Sequence, residues 1–173
     1  KFARIAFGGL SAVEDLRGLS KIKPEAEPGL IIKSLRRVSS NNPVILLDEI
    51  DRVSPEAKIA IQGVLLEVLD PEQNVNFIDH YIDYSFDLSQ VLFIATANNT
   101  SSLSTALLDR LEIIQMPSYT DEEKIEISKK YLLAKILKNN GLSQENIEIS
   151  DQVFSGIARK SGFDPGIRSI ERY

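Results

Sequence analysis

Short apolar runs alternate with amphipathic stretches along the first part of the chain. Three runs predict strands. Residues 2–7 alternate between apolar and other side chains, and residues 44–47 and 91–95 are continuously apolar. Apolar residues recur at helical spacing over residues 30–39 and over 54–69, and the second stretch starts at a Ser-Pro pair typical of a helix start. A further run, residues 111–116, predicts a last strand that ends before Pro117. This alternation predicts an α/β fold with a parallel sheet, whose continuous runs are strands buried on both faces.

The pattern changes after Pro117 and becomes wholly helical. Thr120 precedes three acidic residues, as at a capped helix start, and apolar positions then repeat at helical spacing as far as an Asn-Asn-Gly stop at Gly141. Shorter helices are predicted over residues 151–160 and from Pro165 onward. We therefore expect an α/β subdomain over residues 1–117 and a small helical subdomain over 118–173.

Both ends of the chain interrupt a pattern. A strand is already in progress at Phe2, and a helical pattern is still running at Tyr173. We expect the chain to be a fragment of a longer polypeptide.

Composition and charge exclude several classes of protein. The 173 residues are 43% apolar and 26% charged, which is typical of a globular domain rather than a disordered segment. Cysteine is absent, so disulfides, thiolate metal sites and cysteine nucleophiles are excluded, and the single histidine, His80, rules out a multi-histidine zinc site. The formal net charge of −5 gives no support for nonspecific nucleic-acid binding. No apolar run approaches the length of about 20 residues that a membrane span needs.

Two adjacent acids follow the second predicted strand. Asp48 and Glu49 stand where residues 44–47 leave the sheet, and ligands of open α/β sheets bind at that carboxyl edge. Asp48 could hold Mg²⁺ through water, and Glu49 could orient and deprotonate an attacking water in phosphoryl transfer. The alternative is that Asp48 and Asp51 end a strand and solvate a loop.

Two further polar residues follow, one after the next predicted strand and one at the end of a short predicted helix. Asn98 comes shortly after the run at 91–95, where its amide could hold a water or touch a phosphate; the alternative is a turn-forming asparagine. Arg110 ends a short predicted helix and could reach the phosphate of a neighbouring subunit. The alternative for Arg110 is a helix-terminal arginine that complements the helix dipole or pairs with Asp109.

In this order and spacing, the acid pair, Asn98 and Arg110 resemble the Walker B acids, the sensor-1 asparagine and the arginine finger of AAA+ ATPases. Five stretches resemble phrases typical of the Lon proteases: residues 65–74, 79–81, 87–89, 106–112 and 119–124. Residues 166–172 resemble the Lon sensor-2 helix, whose arginine falls on Arg168. Residues 86–98 are most similar to the peroxisomal branch of eukaryotic Lon.

The resemblance implies a P-loop NTPase-like AAA+ sheet with a helical lid, ATP and Mg²⁺ as cofactors, and a homohexameric ATP-dependent serine protease acting on unfolded or damaged proteins. Asp48 would hold Mg²⁺ through water, Glu49 would activate the attacking water, and Asn98 would position it. Arg110 would act on a neighbour's ATP, and Arg168 would sense the γ-phosphate. The implied compartment is the peroxisomal matrix, with the mitochondrial matrix or the bacterial cytoplasm as alternatives.

The sequence departs from the Lon pattern in several places. It contains no G-x-x-x-x-G-K-[ST] phosphate loop, and the family's protease domain with its Ser–Lys dyad lies beyond the last residue. We therefore expect the isolated chain to bind ATP poorly. Lys23 and Pro24 stand where Lon has an aromatic–aliphatic pair that grips substrate in the central pore, and residues 55–63 replace the usual second pore loop. This leaves three alternatives: a different grip on substrate, weak translocation as in a Lon-like chaperone or scaffold, or a shifted alignment.

Overall fold

The computed structural model describes residues 1–142, 149–160, 167 and 170. The chain divides into two compact units, Lys1–Ile113 and Ile114–Tyr173. The division into functional subdomains at residues 117 and 118 stays a prediction, and each unit is described by itself below.

The first unit is built on a parallel three-stranded sheet. The strands of the whole unit are β1 (Phe2–Ala6), β2 (Val44–Asp48), β3 (Phe77–Asp79), β4 (Tyr84–Phe86) and β5 (Leu92–Ala95). Its helices are α1 (Glu14–Arg17), α2 (Leu30–Val38), α3 (Lys58–Leu69) and α4 (Thr105–Leu108), with 3₁₀ turns at Asn74–Asn76 and Thr100–Ser102. The parallel sheet has the order β1-β2-β5, and β3 pairs antiparallel with β4. The predicted α/β class with a parallel sheet flanked by helices is confirmed.

The core lies on one face of this sheet. Alternate strand residues such as Ile5, Ile45 and Leu47 are buried in one apolar cluster that also contains Ile61 and Leu65 of α3. The side chains that point the other way are exposed: Phe2 by 61%, Leu92 by 59% and Ile94 by 48%. The prediction of strands buried on both faces was therefore wrong for β5, whereas in β2 the residues on the second face are half-buried. Apolar runs show that both faces can be buried, but they do not say which elements cover them.

Helix α3 carries the chain from the carboxyl end of the parallel strands back toward their amino end. It starts after the carboxyl end of β2 and leads through the β3–β4 hairpin to β5, which lies parallel to β2. Its 12 residues span about 18 Å at the usual rise of an α-helix. The residues before α3 and those after it therefore lie at opposite ends of the first unit.

Two local predictions differ from the structure. Helix α3 begins at Lys58, after a turn over residues 55–57 in which the Ser54 hydroxyl accepts the backbone N–H of Ala57 at 3.3 Å, as an N-cap serine does. Residues 111–116 are not a strand, and Met116 is 84% exposed. A strand needs a neighbouring backbone to pair with, and no ladder among the described residues includes this segment.

The regular elements described in the second unit are all helices. It contains α5 (Asp121–Ile127), a π-helical turn at Ser128–Leu132, α6 (Leu133–Asn139) and α7 (Asp151–Lys160). Thr120 and Glu123 form the predicted capping box, and Gly141 ends the helical run with a φ of +69°. The helix predicted from Pro165 falls largely outside the described residues. In the described part of the chain, no helix has the length and apolar character needed to cross a bilayer.

Candidate functional site at the carboxyl edge of the sheet

Asp48 is the last residue of β2, and both of its carboxylate oxygens have partners. Arg4 on the adjacent strand β1 donates from Nε to Oδ2 at 2.8 Å, and its Nη2 also contacts Oδ2. The Thr96 hydroxyl donates to Oδ1 at 2.7 Å. The Asp48 side chain is still 19% exposed, so its carboxylate lies at the surface of the sheet edge with a fixed orientation.

Glu49 turns out of the strand in a left-handed conformation. Its φ is +57°, which residues with a Cβ rarely adopt. Its backbone N–H donates to the Thr96 hydroxyl at 2.9 Å, while its carboxylate is 37% exposed and lies 3.4 Å from Arg52. The change of direction gives the two adjacent acids different surroundings. Asp48 is held by hydrogen bonds, whereas Glu49 is more open to solvent.

The strand ends are joined by backbone hydrogen bonds beyond the regular sheet. Phe7 N–H donates to the Asp48 carbonyl at 2.8 Å, and Ile50 N–H donates to the Thr96 carbonyl at 3.0 Å. In the opposite direction, Thr96 N–H donates to the Leu47 carbonyl at 2.9 Å. These bonds fix the segments after β1, β2 and β5 against one another.

Asn98 lies at the same edge as the two acids. Its backbone N–H donates to Asp51 Oδ2 at 3.2 Å, and that of Asn99 donates to the same oxygen at 3.1 Å. Asn98 itself is exposed. The structure therefore brings Asp48, Glu49 and Asn98 to one surface, as their positions after neighbouring strands predict.

Three residues that hold this site together were not singled out as site residues from the sequence: Arg4, Asp51 and Thr96. The position of Thr96 follows from the pairing of the strands. In the register of β2 against β5, Leu47 pairs with Ala95, so Thr96 falls opposite Asp48. Only the strand register, and not the residue type, reveals this relationship.

Arg110 lies elsewhere in the first unit. Its guanidinium donates from Nη2 and Nε to Asp70 Oδ2 at 2.8 and 3.2 Å, and from Nη1 to the Ala106 carbonyl at 3.1 Å. Asp70 directly follows α3, at the end of the helix remote from Asp48. The partner is Asp70 and not Asp109, the neighbouring acid in the sequence.

The contact with Arg110 changes the acid strength of Asp70. The hydrogen bond from Arg110 is the largest cause that lowers the pKa of Asp70 from its ordinary value, and the backbone N–H of Glu72 adds to it. Asp70 is therefore ionised at neutral pH and forms a charge-assisted pair with the guanidinium. Arg168, the remaining candidate, lies outside the described residues.

The donor set at the sheet edge fits a magnesium ion that is shared with another ligand. Among the described residues, no cluster of three or more His, Cys, Asp or Glu side chains could hold a metal by itself. Mg²⁺ in phosphoryl-transfer sites is usually held by one or two carboxylates, several waters and the phosphates themselves. One oriented and partly exposed carboxylate, that of Asp48, is consistent with this arrangement.

A second feature of the first unit is the loop of residues 19–28, between α1 and α2. After the loop, the backbone N–H of Gly29 donates at 2.7 Å to the carboxylate of Asp79, which is fully buried, and before the loop the Arg17 carbonyl accepts the N–H of His80 at 2.7 Å. The N–H groups of Tyr81 and Ile82 donate to the other oxygen of Asp79 at 2.9 and 3.0 Å. The loop is thus anchored at its base.

The tip of this loop presents an apolar side chain between two cations. Ile22 is 94% exposed, and Lys21 and Lys23 flank it in sequence. Farther down, Leu19 N–H donates to the Glu27 carbonyl at 2.9 Å and holds the two arms together. Lys23 and Pro24 occupy the positions expected for an aromatic–aliphatic pair, and the exposed apolar residue is Ile22.

Comparison with known proteins finds a matching family and several similar, longer proteins. Residues 13–119 match the family described as ATPase family associated with various cellular activities (AAA), over more than half of the chain. The chain is 49% identical over 172 residues to "Lon protease homolog 2, peroxisomal" of Bos taurus, covering 99% of the chain and 20% of that protein.

Bacterial proteins are nearly as similar. "Lon protease" of Borrelia duttonii is 46% identical over 173 residues, which is 100% of the chain and 21% of that protein. "Lon protease" of Desulforamulus reducens is 45% identical over 172 residues, or 99% and 21%. The chain thus spans about a fifth of the length of these curated relatives. The chain belongs to the AAA family of ATPases, and within that family its sequence matches the Lon proteases.

Proposed function

We propose that this chain is part of the ATPase motor of a Lon-like, ATP-dependent protease that unfolds protein substrates and moves them to a proteolytic site. The observation that carries the proposal is the Asp48–Glu49 pair at the carboxyl edge of the parallel sheet, beside exposed Asn98. This is the edge where open α/β sheets bind their ligands. Membership of the AAA family supports ATP as the nucleotide.

Each residue of the edge has a different task in this proposal. Asp48, with its orientation fixed by Arg4 and Thr96, holds a water of the magnesium shell. Glu49, which is partly exposed and lies 3.4 Å from Arg52, orients the attacking water and takes its proton. Asn98 positions that water with its amide. Mg²⁺, when bound with the nucleotide, neutralises charge that develops on the phosphates.

The phosphates themselves require more than these residues. The sequence contains no G-x-x-x-x-G-K-[ST] motif, whose backbone N–H groups and lysine cradle the phosphates in P-loop NTPases. We propose that residues outside this chain supply that cradle in the working protein. The isolated chain is then expected to hydrolyse ATP poorly.

Arg110 fits a role at a neighbouring subunit's nucleotide. Its partner Asp70 directly follows the end of α3, whereas the acids of its own chain precede this helix, which is about 18 Å long. An arginine supplied in trans raises the rate of GTP hydrolysis by about 10³–10⁵ in GTPases. We therefore propose a homo-oligomer with the nucleotide between subunits, and a hexamer because Lon proteases are hexamers. Arg168 would sense the γ-phosphate.

The loop of residues 19–28 is the candidate contact for the protein substrate. Ile22 offers an exposed apolar side chain on an anchored base, which suits contact with unfolded or damaged polypeptides. The absence of an aromatic at positions 23 and 24 favours the second candidate function, a chaperone or scaffold that holds partners with weak translocation. The peroxisomal matrix is the proposed compartment because of the peroxisomal relatives. The similar bacterial relatives make a bacterial cytoplasm the alternative.

ATP hydrolysis by the longest polypeptide that the gene encodes, with and without an unfolded protein, tests this proposal. The motor function predicts hydrolysis that the unfolded protein stimulates. A rate of hydrolysis that is the same with and without the unfolded protein favours the scaffold function. Complete lack of hydrolysis by a folded oligomer contradicts the assignment of the site.

A further inference from the structure

We propose that Thr96 is a positioning residue that orients both acids of the candidate site through its single hydroxyl group. The inference rests on the proposed function and assigns a role to a residue that the sequence patterns did not single out. The observation is that Thr96 Oγ1 lies within hydrogen-bond distance of Asp48 Oδ1, at 2.7 Å, and of the Glu49 backbone nitrogen, at 2.9 Å.

The chemistry of the groups fixes the direction of both bonds. A backbone N–H can only donate, so the Glu49 amide must use a lone pair of the Thr96 oxygen. The hydroxyl proton is then free for the carboxylate of Asp48, which can only accept while it is ionised. One oxygen atom therefore couples the orientation of the Asp48 side chain to the backbone position of Glu49.

Glu49 needs such support because its backbone is in the left-handed region, at a φ of +57°. Thr96 holds the turn from two sides, since its hydroxyl accepts the N–H of Glu49 and its carbonyl accepts the N–H of Ile50 at 3.0 Å. Removal of the hydroxyl deletes the first of these bonds and leaves the second. The Glu49 turn then loosens while the strand end stays in place.

Thr96 contributes little to the packing of the core. It is exposed, and it lies after β5 at the edge of the sheet. The exchange of Thr96 for valine keeps the shape and the β-branching of the side chain and replaces only the hydroxyl with a methyl group. This makes Thr96→Val a specific probe, and Thr96→Ser, which keeps the hydroxyl and loses the methyl, is its matched control.

The test uses the full-length protein with four variants: Thr96→Val, Thr96→Ala, Thr96→Ser and Glu49→Gln. The first measurement is hydrogen exchange in a peptide that covers Glu49 and Ile50, without nucleotide. We expect faster exchange at the Glu49 amide in Thr96→Val and Thr96→Ala, wild-type exchange in Thr96→Ser, and unchanged protection of β1 in all of them. Wild-type exchange in both variants that lack the hydroxyl overturns the proposal.

The second measurement is ATP hydrolysis at a series of Mg²⁺ concentrations. We expect Thr96→Val to lower kcat by about 10- to 100-fold, the size of effect that small misplacement of catalytic groups produces. We also expect it to raise the Mg²⁺ concentration for half-maximal activity, with a much smaller change in KM for ATP. Thr96→Ser restores both values if the hydroxyl is responsible. A serine variant as slow as the valine variant, or a valine variant with wild-type kcat and Mg²⁺ dependence, overturns the proposal.

Glu49→Gln distinguishes a failure of the role of Thr96 from a failure of the proposed function. If Glu49→Gln abolishes turnover and Thr96→Val has no effect, the role of Thr96 is wrong and the proposed function stands. If Glu49→Gln turns over ATP normally, the proposed function of the site is wrong, and the exchange measurement alone then decides whether Thr96 holds the Glu49 turn. If Thr96→Val fails to fold, Thr96→Ala carries the same test because it also lacks the hydroxyl.

Discussion

Arg110 donates two hydrogen bonds to one carboxylate oxygen of Asp70, at 2.8 and 3.2 Å, within a single chain. Asp70 follows the last turn of α3, whereas Asp48 precedes the helix. This placement is the basis of our proposal that Arg110 acts at the site of another subunit rather than at that of its own chain.

Complementation between subunits tests the action of Arg110 in trans. We expect Arg110→Ala alone to lower ATP hydrolysis by about 10³-fold, by analogy with arginine fingers of GTPases. A mixed oligomer of Arg110→Ala and Glu49→Gln subunits should recover part of the activity, because some interfaces then combine an intact Glu49 with an intact Arg110. Steady-state ATPase assays of mixed oligomers measure this. Mixtures as inactive as each variant alone would contradict the action in trans.

The ion pair itself requires a separate control. Asp70→Asn removes the negative charge that Arg110 pairs with and leaves the arginine in the chain. If Arg110 acts on nucleotide, Asp70→Asn should lower hydrolysis far less than Arg110→Ala does. Equal losses in the two variants would mean that Arg110 matters only through its contact with Asp70.

The pair with Arg110 makes stability depend on pH in a defined direction. The pKa of Asp70 is lowered in the folded chain, first by the hydrogen bond from Arg110, so the folded state holds the proton of this residue less tightly than the unfolded state does. The stabilising contribution of Asp70 is therefore present at pH values above the unfolded pKa of about 3.9 and is lost as the pH falls through the lower, folded-state pKa.

Urea unfolding of the wild type and of Asp70→Asn as a function of pH measures that contribution. We expect the wild type to be the more stable protein at pH 7, with a difference that shrinks below about pH 4. A difference that grows as the pH falls would contradict the sign of the pKa shift.

The base of the loop at residues 19–28 depends on Asp79. Asparagine at this position replaces one accepting oxygen with an NH₂ group that faces backbone N–H groups. We therefore expect Asp79→Asn to lower the free energy of unfolding by roughly 2–4 kcal/mol.

Gly29→Ala should also destabilise the chain, because a Cβ there would lie 2.0 Å from the Leu16 carbonyl oxygen. Urea denaturation of the chain measures both.

Gly63 provides the matched control for the glycine exchange. It lies within α3, where a Cβ meets no atom within 4 Å. We expect Gly63→Ala to stabilise the chain by about 0.5–1 kcal/mol, because alanine favours the helix over glycine. Destabilisation by Gly63→Ala of the same size as by Gly29→Ala would show that the close approach at Gly29 is not the cause.

The exposed tip of the same loop is predicted to meet the protein substrate. We expect Ile22→Ser to lower the stimulation of ATP hydrolysis by an unfolded protein, because the variant removes the most exposed apolar side chain of the first unit. Ile114→Ser, at an isoleucine of the second unit that is 77% exposed, is the matched control. Equal stimulation in the wild type and in Ile22→Ser would exclude this side chain as a substrate contact.

The position of the candidate site could be predicted from the sequence because it follows from strand ends. The apolar runs that lead to Asp48 and Asn98 form parallel strands, and the carboxyl ends of parallel strands meet at one edge. The partner of Arg110 could not be predicted, because Asp70 is 40 residues away in sequence and the folding of α3 beside α4 brings the two together.

Other failures of prediction have the same origin. Residues 111–116 have the composition of a strand, but composition does not provide the neighbouring strand that a ladder needs. Thr96 gave no motif, since its importance depends on the register between β2 and β5. Local patterns thus predicted elements and their ends, whereas contacts between distant elements required the structure.

The central claim is that Glu49 activates the water that attacks ATP, and Glu49→Gln in the full-length protein tests it most directly. Glutamine keeps the size of the side chain and cannot take a proton, so we expect ATP binding to remain and turnover to fall by at least about 10²-fold. Nucleotide binding and single-turnover hydrolysis, measured on the same preparation, separate these two effects. Retained binding without turnover is the result that the account predicts, and normal turnover would contradict it.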